Sequence, residues 1–376
     1  MSGIEPDPSQ GRHHWMDLLR GMAILLVILH HVSLVQQIWD GGTPHAGVVL
    51  SEAAKPFRMP ALLFASGMLL PRSLRRPGPR FLSGKARGLL WPWLLWSAIM
   101  LPIMGWEFGR DPLWWINGMY TWFLLALFLY YVLGLLTRSI PPGWVALACL
   151  VAWTVMQMLG SALEDPAYRP DKFVYFAVFF FAGAALRRVV LARTMPIALL
   201  APGVLLALGW AAYAARIDRA PEPPVLSHLV VLISVLVAIG LAQRVPRLRI
   251  VRALEWLGRH SIVLYVVHLP VIELLARHLD LPPGRASFAL YALVTFGVCV
   301  LAVLLRPITG FLYTFPALRA AEPVAKDRHP GPPVPAADPQ MSEAPVAAPL
   351  GSPAPLSSPA PLGSPAPQGA ETVPRR

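Results

Sequence analysis

The sequence predicts an all-α membrane protein, a helical bundle of about ten transmembrane helices followed by a disordered, Pro-rich C-terminal tail. Composition is the first observation behind this fold class. The 376 residues are 56% hydrophobic and only 14% charged, with a mean hydropathy of +0.55, which is typical of a multi-pass membrane protein and not of a soluble domain. The second observation is that the apolar residues form separate runs, and the charges fall in the short loops between them.

Ten apolar runs, each bounded by polar or charged residues, are predicted to cross the membrane. In chain order they are residues 17–38, 57–70, 89–104, 120–136, 144–159, 173–186, 196–215, 226–242, 261–276 and 288–305. The second run is short, so its helix is expected to begin near Val48 and to kink or break at Pro60. Trp91, Trp93 and Trp96 begin the third run, where aromatic side chains favour the membrane interface.

Positive charge alternates along the loops. The loops after the second, fourth, sixth and eighth runs are basic, whereas the loops between them carry both signs. The basic residues are Arg72, Arg75, Arg76, Arg80, Lys85 and Arg87; Arg138; Arg187, Arg188 and Arg193; and Arg244, Arg247, Arg249, Arg252 and Arg259. Because basic loops stay in the cytoplasm, this pattern predicts a multi-pass protein of the cell (inner) membrane with both termini cytoplasmic. The bilayer, and not nucleic acid, is the partner that the net charge of +12 indicates.

The charge and hydropathy boundaries divide the chain into four parts. Residues 1–16 are a short cytoplasmic segment, 17–306 the membrane domain, 307–321 a juxtamembrane segment and 322–376 the tail. The tail repeats PLGSPA, PLSSPA and PLGSPA from Pro349, and such a Pro-, Ala- and Ser-rich segment cannot bury enough apolar surface to fold. A tail without a specific role and a ligand for a partner protein are both open.

The first run carries four ionisable side chains, and such groups are costly inside a bilayer, which favours a functional role. At about 100° per residue, Arg20 and His31 project within about 20° of each other. Asp17 lies about 60° from Arg20, and His30 points about 100° away from His31. The rise from Arg20 to His31 is about 16 Å, roughly half of the hydrocarbon thickness. One helix face therefore has an acid and a guanidinium near an interface and an imidazole deep in the span.

Other readings of these groups stay open. A membrane histidine also serves as a helix-packing residue, and Arg20 could reach lipid phosphates instead. Cys149 and Cys299 lie in separate apolar runs, without the spacing of a metal site or an indicated disulfide. We therefore expect no metal.

Five segments, taken in order, resemble the acyltransferase-3 family of integral membrane O-acyltransferases. They are DLLRGMAILLVILHH from Asp17, FRMPALLFASGMLL from Phe57, KARGLLWPWLLW from Lys85, TWFLLALFLYYVL from Thr121 and LEWLGRHSIVLYVVHLPVI from Leu254. The first has an acid, then LRG, then a histidine with ten residues between Arg20 and His31. The last follows the pattern G-x-x-S-x-x-x-Y-x-x-H and ends at His268. The resemblance covers about residues 15–305 and implies a membrane bundle with enzymatic activity.

The resemblance implies transfer of an acyl group, usually acetyl from acetyl-CoA or another acyl-CoA, to a hydroxyl of an envelope carbohydrate, polysaccharide or glycolipid. His31 is then the general base or the acyl acceptor, a role that imidazole suits at neutral pH. Arg20 and Asp17 complete the predicted catalytic set. Positive charge near a thioester oxygen stabilises the charge that develops there.

Arg87 alone is assigned a cofactor role, because topology and lipid headgroups account for the other basic residues of its loop. Tyr265 and His268 lie three residues apart on one helix face, and we predict that they line the acceptor path or orient His31. Helix packing is the alternative for this pair. Ser66-Gly67 favours close helix packing over a nucleophilic serine.

Two other classes of function compete with an acyltransferase. A transporter or flippase of a polar envelope precursor also has buried histidine and arginine, although no inverted repeat is evident in the sequence. A membrane scaffold would use the tail to recruit partners, and it would tolerate loss of the chemistry on the first helix.

Overall fold

A computed structural model of the chain describes residues 13–117, 120–159, 170–216, 224–279 and 281–316. Within these ranges the chain forms helices and no β-strand. The α-helices are α1 (His14–Trp39), α2 (His45–Gly67), α3 (Leu70–Ser73), α4 (Gly78–Lys85), α5 (Trp91–Met104), α6 (Pro112–Asn117), α7 (Trp122–Leu136), α8 (Pro142–Leu159), α9 (Pro170–Ala192), α10 (Ile197–Arg216), α11 (Pro224–Ala242), α12 (Arg249–Arg259), α13 (Ser261–His278), α14 (Arg285–Leu304) and α15 (Arg306–Thr309). A π-helical segment, Ala86–Leu90, joins α4 to α5.

Eight of the described helical stretches are long and apolar enough to cross a membrane. They lie in α1, in the continuous stretch Gly78–Met104, and in α8, α9, α10, α11, α13 and α14. Helix α7 is apolar but shorter, and α2, with 23 residues, carries Glu52, Lys55 and Arg58. These ten helices correspond to the ten predicted runs, which confirms the predicted all-α membrane bundle. The predicted tail, residues 322–376, lies outside the described residues.

Helix α1 lies inside the bundle and contacts α2, α11, α12, α13 and α14. Its apolar side chains are buried around much of its circumference, as a helix surrounded by protein requires. Asp17, on the same helix, is only 3% exposed. The polar groups of α1 therefore meet neighbouring helices, and these neighbours decide what each group can do.

Two pairs of glycines allow helix backbones to approach each other closely. A Cβ atom on Gly21 of α1 would collide with the carbonyl oxygen of Leu254 in α12, and a Cβ on Gly258 of α12 would collide with that of Asp17. Gly67 of α2 and Gly183 of α9 form a second reciprocal pair against backbone carbonyls. Small residues at such crossings are the usual device of membrane helix packing, and the first pair fixes the Asp17–Arg20 end of α1.

Two of the predicted spans begin earlier in the structure than in the sequence. Helix α2 begins at His45 and continues through Pro56 and Pro60, so it is not broken at Pro60. Neighbouring helices can compensate for the hydrogen bond that a proline removes from a membrane helix. The third span begins at Gly78, since α4, the π segment and α5 form one stretch of 27 residues to Met104.

The basic stretch after the eighth run is predicted as a loop, and this prediction is wrong for part of it. Arg249–Arg259 forms helix α12, which packs on α1. Val251 and Leu257 are buried while Arg249 and Arg252 are exposed, so the helix is amphipathic. The prediction counted only continuous apolar runs, and this arginine-rich stretch has none, so it was assigned to a loop.

Candidate active site

His31 and His268 meet between α1 and α13. The Nε2 atom of His268 lies 3.2 Å from Nδ1 of His31, and the two ring centroids are 4.8 Å apart. His268 is fully buried, whereas His31 is partly exposed. The structure thus brings together two predicted site residues that are far apart in sequence. Their roles stay predictions.

Backbone carbonyls determine which nitrogen of each ring carries its proton. Nδ1 of His31 lies 2.8 Å from the carbonyl oxygen of Val27, and Nδ1 of His268 lies 3.2 Å from that of Leu264. A carbonyl oxygen only accepts hydrogen bonds, so the neutral form of each ring carries its proton on Nδ1. Nε2 of His268 then accepts from Nδ1–H of His31. Nε2 of His31 keeps its lone pair, and no side chain or backbone group of the described residues donates to it.

Tyrosines enclose His268 and hold its helix in place. The ring centroids of Tyr120 and Tyr265 lie 5.5 and 5.8 Å from that of His268. The Tyr120 hydroxyl donates to the carbonyl oxygen of Val266 at 2.7 Å, and the Tyr265 hydroxyl donates to the backbone carbonyl of Tyr120. These reciprocal bonds fix α13 against the segment that precedes α7. Tyr265 therefore supports the position of His268 as well as contributing to the site.

His30 turns away from His31, as the helical angles predict. Its Nδ1 atom lies 2.5 Å from the Ser51 hydroxyl on α2, although the two histidine rings are neighbours at 5.0 Å. Arg58 donates from Nη1 to the carbonyl oxygen of Ser51 at 3.1 Å. His30 is thus tied to α2, while His31 is tied to α13.

A cavity of about 110 Å³ lies beside the Arg20 end of α1. Arg20, Ser66, Leu89, Ser261 and Tyr265 contribute to its walls. Tyr265 is a wall residue whose ring centroid also lies 5.8 Å from that of His268, whereas neither His31 nor His268 lines the cavity. The cavity walls are mostly apolar, with the Arg20 guanidinium among them.

Arg87 contacts the segment that follows the last long helix. Its Nε and Nη2 atoms donate to the carbonyl oxygen of Phe315 at 3.1 and 2.9 Å. Trp91 and Trp96 donate to the carbonyl oxygens of Phe311 and Leu312. Arg87 therefore has a structural partner, and its predicted cofactor role stays a prediction that relies on its remaining N–H donors.

Some residues of this region were not predicted as site residues. Tyr120 encloses His268, Ser51 bonds His30, and Lys85 places its ammonium 3.4 Å from the ring centroid of Tyr131. Tyr131 in turn donates to the carbonyl oxygen of Ser66 at 3.1 Å. The tyrosines belong to the segment TWFLLALFLYYVL and its preceding residue, and only tertiary packing distinguishes them from other apolar-run tyrosines.

Ser66 is used within its own helix. Its hydroxyl donates to the carbonyl oxygen of Leu62 at 2.8 Å, and the adjacent Gly67 packs on the backbone of α9. Cys149 and Cys299 are free thiols. Among the described residues, no three His, Cys, Asp or Glu side chains lie together as a metal site requires.

Comparison with known proteins agrees with this architecture. The model of an acyltransferase domain, that of the acyltransferase-3 family, matches residues 13–305. Neither the curated proteins nor the solved structures include a match to the chain. The matched range spans every helix that positions the histidine pair and the Arg20 cavity, from α1 to α14. The chain therefore belongs to the acyltransferase-3 family and is a multi-pass membrane acyltransferase.

Proposed function

We propose that the protein transfers an acyl group, acetyl in the first instance, from acyl-CoA to a hydroxyl of an envelope carbohydrate, polysaccharide or glycolipid. The observation that carries this proposal is the pair of contacts at Nδ1 of His31, to the Val27 carbonyl and to His268, which leaves Nε2 of this partly exposed residue with the lone pair. A base for a sugar hydroxyl needs a lone pair within reach of the hydroxyl, and a neutral imidazole supplies one.

In the proposed reaction, Nε2 of His31 accepts the proton of the acceptor hydroxyl as its oxygen attacks the thioester carbonyl. The carbon–sulfur bond then breaks, the proton passes to the sulfur, and CoA leaves as the free thiol. The reaction forms one ester and consumes one thioester. Transfer through an acyl group carried on His31 gives the same products and remains the second route.

His268 has a positioning role in this proposal. Its Nε2 atom accepts from Nδ1–H of His31 at 3.2 Å and so favours the tautomer that leaves Nε2 of His31 free. The carbonyl oxygen of Val27 accepts a hydrogen bond from Nδ1–H of His31 and so stabilises the positive charge that develops on the ring. Tyr265 lines the Arg20 cavity and has its ring centroid 5.8 Å from that of His268, which supports the proposal that it contacts the acceptor.

Arg20 acts on the donor in this proposal. Arg20 lines the 110 Å³ cavity, about 16 Å along the α1 axis from His31. In this proposal its cation therefore binds the donor away from the attacked carbonyl, at the phosphates or the pantetheine arm of acyl-CoA. Asp17 is buried about one helical turn before Arg20, and in this proposal its negative charge holds the Arg20 guanidinium in place.

The proposed function is tested by incubating the purified protein in lipid nanodiscs with acetyl-CoA that is labelled in the acetyl group. We expect release of free CoA and appearance of label in an added envelope glycan fraction. Arg193→Gln protein is a control, because this exposed side chain lies outside the Arg20 cavity. It should release CoA and transfer label as the unaltered protein does. A transporter, flippase or scaffold would leave the thioester intact, and an intact thioester with every acceptor fraction would contradict the proposal.

The proposed topology places both termini in the cytoplasm of a cell (inner) membrane protein. Reporter fusions after Arg72, Glu107, Arg188, Glu222 and Arg328 should read in, out, in, out and in, because the loops with excess arginine and lysine stay in the cytoplasm. Alkaline phosphatase and green fluorescent protein fusions measure the two locations. An active phosphatase at the Arg328 fusion would contradict an even number of spans.

A further inference from the structure

A second cavity, of about 840 Å³, lies at the ends of α3, α7, α8 and α9. Apolar side chains, including Leu70, Val145 and Phe181, form part of its walls. Its volume falls within the range of about 300–1,000 Å³ that is usual for sites of small molecules. It shares no lining residue with the Arg20 cavity, so the donor space described above does not account for it.

Four arginines from three separate parts of the chain line this cavity. They are Arg75, Arg138, Arg187 and Arg188, and among the residues that the structure describes no aspartate or glutamate lines it. Arg187 is half-buried and the other three are exposed. Among the described residues, none of the four side chains forms an ion pair or a side-chain hydrogen bond. Their charges therefore converge on one space without an internal counter-ion.

The start of helix α8 adds to the positive potential. Ser139, Pro141 and Pro142 line the cavity, and the 18-residue helix begins at Pro142. The N-terminal end of a helix carries a partial positive charge and free N–H groups, which favour anions. The guanidinium groups and the helix end come from different elements, yet both are directed at the same cavity.

Topology alone explains arginines in these loops but not their convergence. A positive-inside signal needs cations near the membrane surface, with no cavity between them. Four guanidinium groups around one space raise its positive potential, and an anion that enters it lowers this potential. Phosphate suits this site best, because its oxygens accept paired N–H bonds from several arginines at once.

We propose that this cavity is a binding site for a phosphate-bearing ligand, with the arginines on the phosphate and the apolar wall on the remainder of the molecule. Two sources carry this chemistry: the 3′,5′-ADP end of a CoA thioester, and the headgroup of an anionic phospholipid. The inference concerns binding and stands whether or not the protein transfers acyl groups.

The test uses the full chain in phosphatidylcholine nanodiscs and compares it with the triple variant Arg138→Gln/Arg187→Gln/Arg188→Gln. One arm measures binding of radiolabelled 3′,5′-ADP. The other arm measures, by mass spectrometry, the phosphatidylglycerol that the protein retains after purification from mixed lipid. Loss of a charge-assisted hydrogen bond costs roughly tenfold in affinity, so the triple variant should bind the true ligand at least about 100-fold more weakly.

The matched control removes three other arginines that are predicted on the same side of the membrane, as Arg80→Gln/Arg193→Gln/Arg252→Gln. All three are exposed and lie outside the cavity. Both triple variants lose three positive charges, so any effect of charge removal on topology or solubility should be the same in the two. The single variants Arg138→Gln and Arg187→Gln serve if the triple variant inserts poorly, and each should weaken binding about tenfold.

Each outcome decides the proposal. If the cavity variant loses binding of 3′,5′-ADP and the control variant keeps it, the site is supported and its ligand is a nucleotide. Selective loss of phosphatidylglycerol supports the site and identifies a lipid. Wild-type protein that binds neither probe, or a cavity variant that binds both probes as well as the control does, overturns the proposal.

Discussion

Replacing His31 with alanine should reduce acyl transfer by about 10²- to 10⁴-fold, the usual contribution of a general base. The reason is geometric, because His31 has a free Nε2 lone pair and a tautomer that is fixed by Val27 and His268. The measurement is release of CoA from acetyl-CoA by equal amounts of inserted protein. Membrane levels are measured by immunoblot, since loss of an interhelical hydrogen bond also lowers stability.

The adjacent residue provides the matched control. His30→Ala removes the same imidazole from the same helix, but its side chain bonds Ser51 of α2 and not His268. It should therefore cost much less activity than His31→Ala. A fully active His31→Ala protein beside an inactive His30→Ala protein would refute the assignment of His31. If both were active, a mechanism centred on α1 would have to be abandoned.

Replacing Gly258 with valine should lower both stability and activity. A Cβ atom at this position would collide with the backbone carbonyl of Asp17, so α12 must move away from α1. Overpacking of a core costs about 1–3 kcal/mol or more, and here the obstacle is backbone that cannot rotate away. The displacement would also move Arg20 relative to its cavity. Thermal unfolding in detergent and CoA release measure the two effects.

Gly209→Val is the control for this change. Gly209 lies within α10, and a Cβ atom there would have no neighbour within 4 Å. The substitution is chemically identical and also lies in a membrane helix, so it should leave the unfolding temperature and the activity nearly unchanged. Equal losses in the two variants would mean that valine itself, and not the contact between α1 and α12, causes the effect.

Much of the fold was predictable because its determinants are local. Apolar runs and alternating arginine loops are visible in a single sequence, and the runs correspond to the eight long apolar stretches together with α2 and α7. Helix α12 was not predicted, because its buried residues are spaced along an arginine-rich stretch instead of forming a continuous run. Helix α2 begins at His45, close to the start expected near Val48, although Glu52, Lys55 and Arg58 interrupt its hydropathy.

The part of the site that depends on residues close together in sequence was also predictable. Helical rotation alone separates His31 from His30, and the structure places these residues on different neighbours. The partner of His31 is 237 residues away, so only packing of α13 on α1 could reveal it. The contact of Arg87 with Phe315 spans 228 residues and was likewise invisible in the loop that contains Arg87.

The π segment Ala86–Leu90 sets the rotational phase of the third membrane span. A π turn accommodates one residue more than an α turn, so it advances every side chain before it relative to those after it. Arg87 and Leu89 both lie in this segment, where Arg87 donates to Phe315 and Leu89 lines the Arg20 cavity. In a regular α-helix each residue is rotated by about 100°, and deleting one residue here would turn the basic end of the span by that angle. The π segment thus decides how the side chains of α4 are rotated relative to those of α5 within one continuous span.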